Sequence, residues 1–416
     1  MNEKATPDRI LSSSQDKKLV GWVLESPGRG TLSLITTCLF TTFLCTWAII
    51  HPRVTRSPSR RISHKFAVFV KTILAPEFLA VEGLQEWSQA RKIVQQCGHL
   101  TDGELDLVRA FYIGMLALRY RAEQGQKVIW PNQYQWLLEQ HLVDWKDHES
   151  WGLSRENIRD KSNADTTVKL FAFVQVSWFV AQSIMRAVHD LPVSQLESMT
   201  LSYVPMFVVT YFFWWAKPKD VLTPSVVELP NMSLEQKVTF ENMSVDSTFD
   251  DEHTKQQDSW WNVWKLTPRT FEKEARDKAF EEMSHNTLSN YPSETVLAYW
   301  DPQVYHSKIW PITCLFGASF GALHLISWHT VFPTLVETWL WRVAAITSIV
   351  SMLIFMQFDK VVLRWGGPLT ILSIVSPGVY LLSRIVMIGG VIAAFRGMDP
   401  IIYETYVVST YWVHLV

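Results

Sequence analysis

Long apolar stretches alternate with polar joints along most of this chain. Residues 31–50, 168–189, 197–215, 309–328, 337–358 and 369–395 are each predominantly apolar, and each approaches or exceeds the roughly 20 residues that cross a bilayer's hydrocarbon core. Two weaker stretches follow the same pattern: charges interrupt 66–85, and 105–118 is short. Together they predict an all-α fold, a polytopic transmembrane helical bundle of about eight spans with one large cytosolic loop. The expected organisation is a polar N-terminal segment (1–30), N-terminal transmembrane helices (31–215), the loop (216–308) and C-terminal transmembrane helices (309–416). A chain of this kind sits in the lipid bilayer, so its small-molecule partners are expected to be membrane-soluble.

The charges orient the predicted spans. The segment after the first one, HPRVTRSPSRRISHK, holds Arg53, Arg56, Arg60, Arg61 and Lys65 and no acidic residue. Basic loops stay in the cytosol, which puts the N-terminus outside or in the lumen of the endoplasmic reticulum, the expected membrane. Alternation through eight spans brings 216–308 to the cytosol with Lys217, Lys219, Lys308, Lys360 and Arg364. The sequons at Asn231 and Asn242 then stay unglycosylated. This assignment hinges on 105–118, because everything downstream inverts if that stretch does not cross. No short apolar region with a cleavage site follows residues 1–30, so the first span reads as an uncleaved anchor.

Within the loop, Asp246, Asp250, Asp251 and Glu252 form an acidic stretch expected to be disordered. Trp260, Trp261 and Trp264 are suited to resting on the membrane surface. Thr267-Pro268 starts a predicted helix, with Phe271, Ala275, Ala279 and Met283 on one face. The plain reading of this region is a solvated linker with one surface helix.

Composition refines the picture. The net charge of −2 gives nucleic acid no electrostatic attraction. A mean hydropathy of only +0.05 reflects dilution by the polar loop. Of the 20 tryptophans, Trp22, Trp47, Trp87, Trp310, Trp365 and Trp412 fall at segment ends, where amphipathic rings settle at headgroup level. Cys38, Cys45, Cys97 and Cys314 have no CxxC spacing and read as reduced, buried thiols. There is no P-loop, G-x-S-x-G or HExxH motif, and neither a metal nor a cofactor is expected.

Polar groups inside the apolar stretches are the candidates for chemistry. FAVFVKTILAPEFLAVEGL carries Lys71, Glu77 and Glu82. Carboxylates at that depth face the bundle interior, pair, or take up a proton. Pro76 adds to this by freeing a backbone acceptor at Thr72. The alternative is an interfacial or re-entrant piece with wetted carboxylates. In ITCLFGASFGALHLISWHT, Gly317, Gly321, His324 and Trp328 recur on one helix face. Glycines four apart admit a neighbouring helix, so His324 and Trp328 are expected to point into the bundle, while His329 lies near the membrane edge. His324 is either a proton carrier or a packing residue. Glu337 and Arg342 read as charges that reach the interface. Arg384 lies deep between Pro377-Gly378 and Gly389-Gly390 and is expected to seek Glu77, Glu82 or Glu337, either as a structural ion pair or to bind substrate. Ser162 and Asp165 have capping-box spacing. Read functionally instead, Asp160 or Asp165 would be an acid at a cavity mouth.

GWVLESPGRGTLSLITTCLFTTFLCTWAIIHPRV, ILAPEFLAVEGLQEW, DKSNADTTVKL, WWAKPKDV and GALHLISWHTVFPTLVETWLWR occur in order over nearly the whole chain. In these runs the chain resembles a large fungal family of polytopic membrane proteins. Some members of that family are integral membrane terpene cyclases of meroterpenoid pathways, of the macrophorin and ascofuranone types. The resemblance implies a buried acid that protonates the terminal alkene or epoxide of a farnesylated ring, followed by carbocation cyclisation and loss of a proton. Aromatic faces steady a cation of this kind. No aspartate-rich DDxxD motif is present. On this reading Glu77 is the proton donor, with Asp165 or Glu82 as the alternative, and His324 is the base. Trp328, Trp178 and Phe173 face the cation. Two other classes stay open: a transporter or lipid-binding protein with Arg384, Gln175 and Gln182 lining its path, and an acyltransferase using His324 or His329.

Overall fold

A computed structural model describes residues 19–24, 29–52, 54, 58–123, 125–162, 166–245, 250, 310–357 and 368–405. The expectations for residues 260–283, for Asp165 and for the charges at 308, 360 and 364 lie outside the described residues. The fold is mostly helical. In chain order the helices are α1 (Thr31–Trp47), α2 (Pro58–Leu74), α3 (Pro76–Cys97), α4 (Leu107–Gly114), α5 (Pro131–Glu139) and α6 (Arg155–Lys161). They continue as α7 (Thr166–Val188), α8 (Gln195–Phe213), α9 (Leu234–Asn242), α10 (Trp310–Leu323), α11 (Leu335–Gln357) and α12 (Pro368–Ala394).

The expectation of eight spans is corrected. Among the described residues three helices are long and apolar enough to cross a membrane: Leu170–Val188 in α7, Gln195–Phe213 in α8 and Leu335–Ile354 in α11. Thr31–Trp47, Leu315–Ser327 and Gly378–Ala394 are shorter apolar helices. The two weak candidates fail for different reasons. Residues 66–85 are broken between Leu74 and Pro76. In 105–118 only the eight residues of α4 are helical, giving about 12 Å of rise against a hydrocarbon core of roughly 30 Å.

Contacts at the two ends of the bundle fix the helix directions. At one end, Lys217 Nζ reaches the His51 carbonyl at 2.9 Å and Glu86 at 2.5 Å, and Lys65 pairs with Asp220 at 3.0 Å. Ser162 Oγ both donates to the Lys219 carbonyl and accepts from the Lys219 amide, each at 3.0 Å. At the other end, Val20 and Met398 form a β-bridge, and Thr31 Oγ1 donates to Tyr403 at 3.1 Å. Arg29 pairs there with Glu197 at 2.7 Å, and Arg186 donates to the carbonyls of Pro192, Ile402 and Glu404. So α1, α8 and α11 run from the second end to the first, and α7, α10 and α12 run back. The α2–α3 pair does not cross. It enters from the first end, breaks, and α3 returns past Thr210 and Phe213, which lie against Gly83.

Helix α8 is central. It packs against α1, α3, α7, α10 and α12, and 61% of its span is buried against 33% for α7 and α11. A capping box starts it: Ser194 Oγ accepts from the Glu197 amide and Glu197 Oε2 accepts from the Ser194 amide, the reciprocal arrangement that satisfies two orphan donors. The outer helices expose Phe171, Ile184, Val336, Val343 and Val350, an apolar surface of the kind that marks an interaction site.

A small polar unit sits at the first end. Strands β1 (Leu118–Ala122) and β2 (Gly125–Val128) pair antiparallel, and β3 (Ser225–Val227) pairs parallel to β1. The all-α expectation is corrected to this extent. The same unit corrects the expectation of disorder at Asp250, which is buried and accepts from the Val128 amide at 2.8 Å. Ser162 is not a helix N-cap. It ends α6 and ties that helix to Lys219.

Candidate functional site

The break between α2 and α3 builds the site. Ala75 closes the last helical bond to the Lys71 carbonyl at 2.8 Å. Pro76 has no N–H to continue the ladder, and its fixed φ suits the first position of a new helix. The carbonyls that find outside partners are those of Ile73 and Leu74, one to two residues past the Thr72 acceptor expected from sequence. Tyr203 Oη donates to the Ile73 carbonyl at 2.7 Å. Arg384 donates through Nη2 to the same carbonyl at 3.2 Å and through Nε to the Leu74 carbonyl at 3.0 Å.

This explains the deep arginine without a carboxylate. The end of α2 carries the negative pole of the helix dipole, and a guanidinium at a buried C-terminus is favourable. The remaining Arg384 bonds also go to neutral groups, Tyr203 Oη at 3.2 Å and His324 Nε2 at 3.5 Å. Its face lies 3.8 Å from the Phe320 ring centroid. Of the three expected carboxylates, Glu77 is the one whose charge Arg384 feels, but among the described residues no carboxylate makes a direct ion pair with it. Glu337 caps the start of α11 with Thr334 and pairs with Arg396.

His324 is fully buried in a short 3-10 turn, His324–Ser327, that ends α10. Its Nδ1 lies 2.7 Å from the Phe320 carbonyl, so the proton sits on Nδ1 and Nε2 accepts from Arg384. Trp341 Nε1 donates to the His324 carbonyl at 3.3 Å, and its ring centroid is 5.6 Å from the imidazole.

Glu77 stands in the first turn of α3 and is 1% exposed. Its Oε1 accepts from Tyr380 Oη at 2.6 Å, while Oε2 is buried and has no hydrogen-bond partner among the described residues. Tyr380 and Arg384 lie four apart on α12, hence on one face. Glu77, Tyr380, Arg384, Tyr203 and His324 thus form one buried polar group, drawn from α3, α12, α8 and the end of α10.

The other expected residues fall outside this group. Glu82 is five positions from Glu77 and half-buried, which turns it about 140° away around the helix. Trp328 leaves the His324 face because the 3-10 turn intervenes. It is half-buried, with Arg342 4.9 Å from its ring centroid and bonded to its carbonyl. Phe173 is 53% exposed on the outside of α7, which corrects its placement facing a cation. Trp178 is half-buried and His329 exposed. Gln175 is buried and donates to Thr41 at 3.5 Å. Sequence reasoning missed Tyr203, Tyr380, Phe320 and Trp341. The i, i+4 spacing of Tyr380 and Arg384 was the available signal.

Among the described residues, no three His, Cys, Asp or Glu side chains are grouped to hold a metal ion. Residues 6–97, 151–255 and 281–414, about four fifths of the chain, match the model of a family of unknown function (DUF8562). No curated protein and no solved structure matches the chain.

Proposed function

The chain belongs to this family of unknown function, and from that premise we propose that it is an integral membrane terpene cyclase acting on a farnesylated ring compound. One observation carries the reading: Glu77 presents an unengaged oxygen, Oε2, inside the bundle at the tip of a broken helix. A carboxylic acid with its proton there is a Brønsted acid in dry surroundings, the group that alkene or epoxide protonation requires. Tyr380 fixes Oε1 and so aims the other oxygen. The substrate class we propose comes from the resemblance of the quoted sequence runs to a fungal membrane family that includes meroterpenoid cyclases.

In this scheme Glu77 delivers the proton and neighbouring alkenes close the rings. His324 becomes the base once its Nε2 contact with Arg384 opens, and at 3.5 Å that contact is at the outer limit of a hydrogen bond. The Phe320 face already holds Arg384, which leaves Trp341 and Phe332, 5.7 Å apart, as aromatic faces for the travelling cation. The substrate partitions into the bilayer. We place the protein in the endoplasmic reticulum membrane, with the basic segment 53–65 toward the cytosol.

Microsomes containing the protein are to be fed a farnesylated phenol or epoxycyclohexenone. A product of identical mass and shorter retention supports the proposal; recovery of unchanged substrate only contradicts it. One feature favours a second reading. Broken helices whose half-helix ends meet inside the bundle also bind the cargo of transporters. Substrate bound stoichiometrically and released unchanged would support that reading.

A further inference from the structure

A second cluster, remote from the helix break, joins α6, β3 and α4 in the polar unit. Lys161 Nζ donates to Ser225 Oγ at 2.6 Å and to Tyr112 Oη at 3.4 Å, and Tyr112 Oη lies 2.9 Å from Ser225 Oγ. Ser225 and Tyr112 are buried, and Lys161 is half-buried, so the cluster meets solvent on the lysine side. Among the described residues no carboxylate lies within 4.0 Å of Lys161 Nζ. Gly152 packs against the pair at φ +68°, and a Cβ there would lie 2.9 Å from Ser225 Cβ and 3.7 Å from Lys161 Nζ.

Half-burial costs the Lys161 ammonium hydration, and among the described residues two hydroxyls and no carboxylate compensate it. A serine held on an amine without a carboxylate is, however, the arrangement of a serine–lysine dyad. We propose that Ser225 is a nucleophile for acyl esters, with Lys161 as its general base and Tyr112 as the donor to the developing oxyanion. Ser225 Oγ attacks the ester carbonyl carbon and its proton passes to Lys161 Nζ. The carbon–oxygen bond to the alcohol breaks, and the alcohol leaves with the proton from Nζ. Water then attacks the acyl-serine and gives its proton to the same nitrogen. The acid departs and Ser225 recovers its hydrogen.

Burial supports both roles. It pulls the Lys161 ammonium below the ordinary lysine value, toward the free amine, and pushes the Tyr112 hydroxyl up, so that it keeps its proton to donate.

The test treats purified full-length protein in detergent with an alkyl fluorophosphonate and maps adducts by mass spectrometry. The expected result is one adduct on Ser225, with release of fluoride. Its rate should rise with pH to a plateau whose midpoint lies below the ordinary lysine value. Lys161→Met should slow labelling at least ~10-fold, as expected for loss of a general base, and Ser225→Ala should abolish it. Glu77→Gln should leave labelling unchanged, so failure here is separate from failure of the cyclase reading. Folded wild-type protein without a Ser225 adduct overturns the proposal, and this arm needs no variant to fold. Equal rates in wild type and a folded Lys161→Met variant overturn it too.

Discussion

Arg384 shows how one residue reconciles a charge with an apolar interior. Three of its nitrogens reach two backbone carbonyls, a tyrosine hydroxyl and an imidazole. Arg384→Leu leaves the Leu74 carbonyl and His324 Nε2 without their donor, while the Ile73 carbonyl keeps Tyr203, and each buried acceptor left unmade costs about 1–3 kcal/mol. We therefore expect a destabilisation of about 3 kcal/mol or more, read as a lower midpoint in thermal unfolding in detergent. Arg384→Lys should recover only a minor part, because an ammonium is a point charge and not a planar fork. An unchanged melting temperature for the leucine variant would show that the helix end needs no cap.

At the scale of elements, the contact of α10 with α11 rests on Gly321. A Cβ there would lie 2.7 Å from Ile349 Cγ1 and 3.1 Å from the Ile349 amide nitrogen. Backbone cannot yield as a side chain can, so Gly321→Ala should cost about 1–3 kcal/mol. Gly389 on α12 has nothing within 4 Å of its Cβ position, and Gly389→Ala should be neutral or stabilise by up to about 1 kcal/mol. Paired thermal melts of the two variants decide the matter; equal effects would contradict the packing described. The glycine spacing on α10 was legible from sequence, as was the burial of His324. The side toward which Trp328 turns was not. The helix ends at Leu323 and tightens into a 3-10 turn, and no residue in HLISW announces that change of period. Likewise Pro76 announced a freed backbone acceptor, placed at Thr72, but only the packed partners Tyr203 and Arg384 show that the exposed carbonyls are those of Ile73 and Leu74.

For the whole molecule, the apolar helices alternate in direction between the two ends, and among the described residues three of them are long and apolar enough to cross a membrane. The first-end contacts put the chain at 51–65 and at 217–220 together, and Val20 and Thr31 meet Met398 and Tyr403 at the opposite end. The apolar patterns of α1, α7, α8, α10, α11 and α12 were legible from hydropathy alone. The re-entrant course of 66–85 was one of the two readings the sequence offered, but with wetted carboxylates; the burial of Glu77 in that course was not legible, because its partner Tyr380 lies far away in sequence. Single cysteines at exposed Glu235 and Glu404, in a chain whose native cysteines are replaced by serine, report the arrangement. In sealed microsomes an impermeant maleimide should label the first and spare the second until detergent is added. Labelling of both, or of the second alone, would contradict the topology.

The central claim is that Glu77 supplies the proton. The most direct measurement is the rate at which microsomes matched for protein level turn a farnesylated acceptor into its cyclic isomer, comparing wild type with Glu77→Gln. The amide keeps the contact with Tyr380 but has no acid to give, so the account predicts a fall of about 100-fold or more, with membrane insertion intact. Turnover equal to wild type would contradict it.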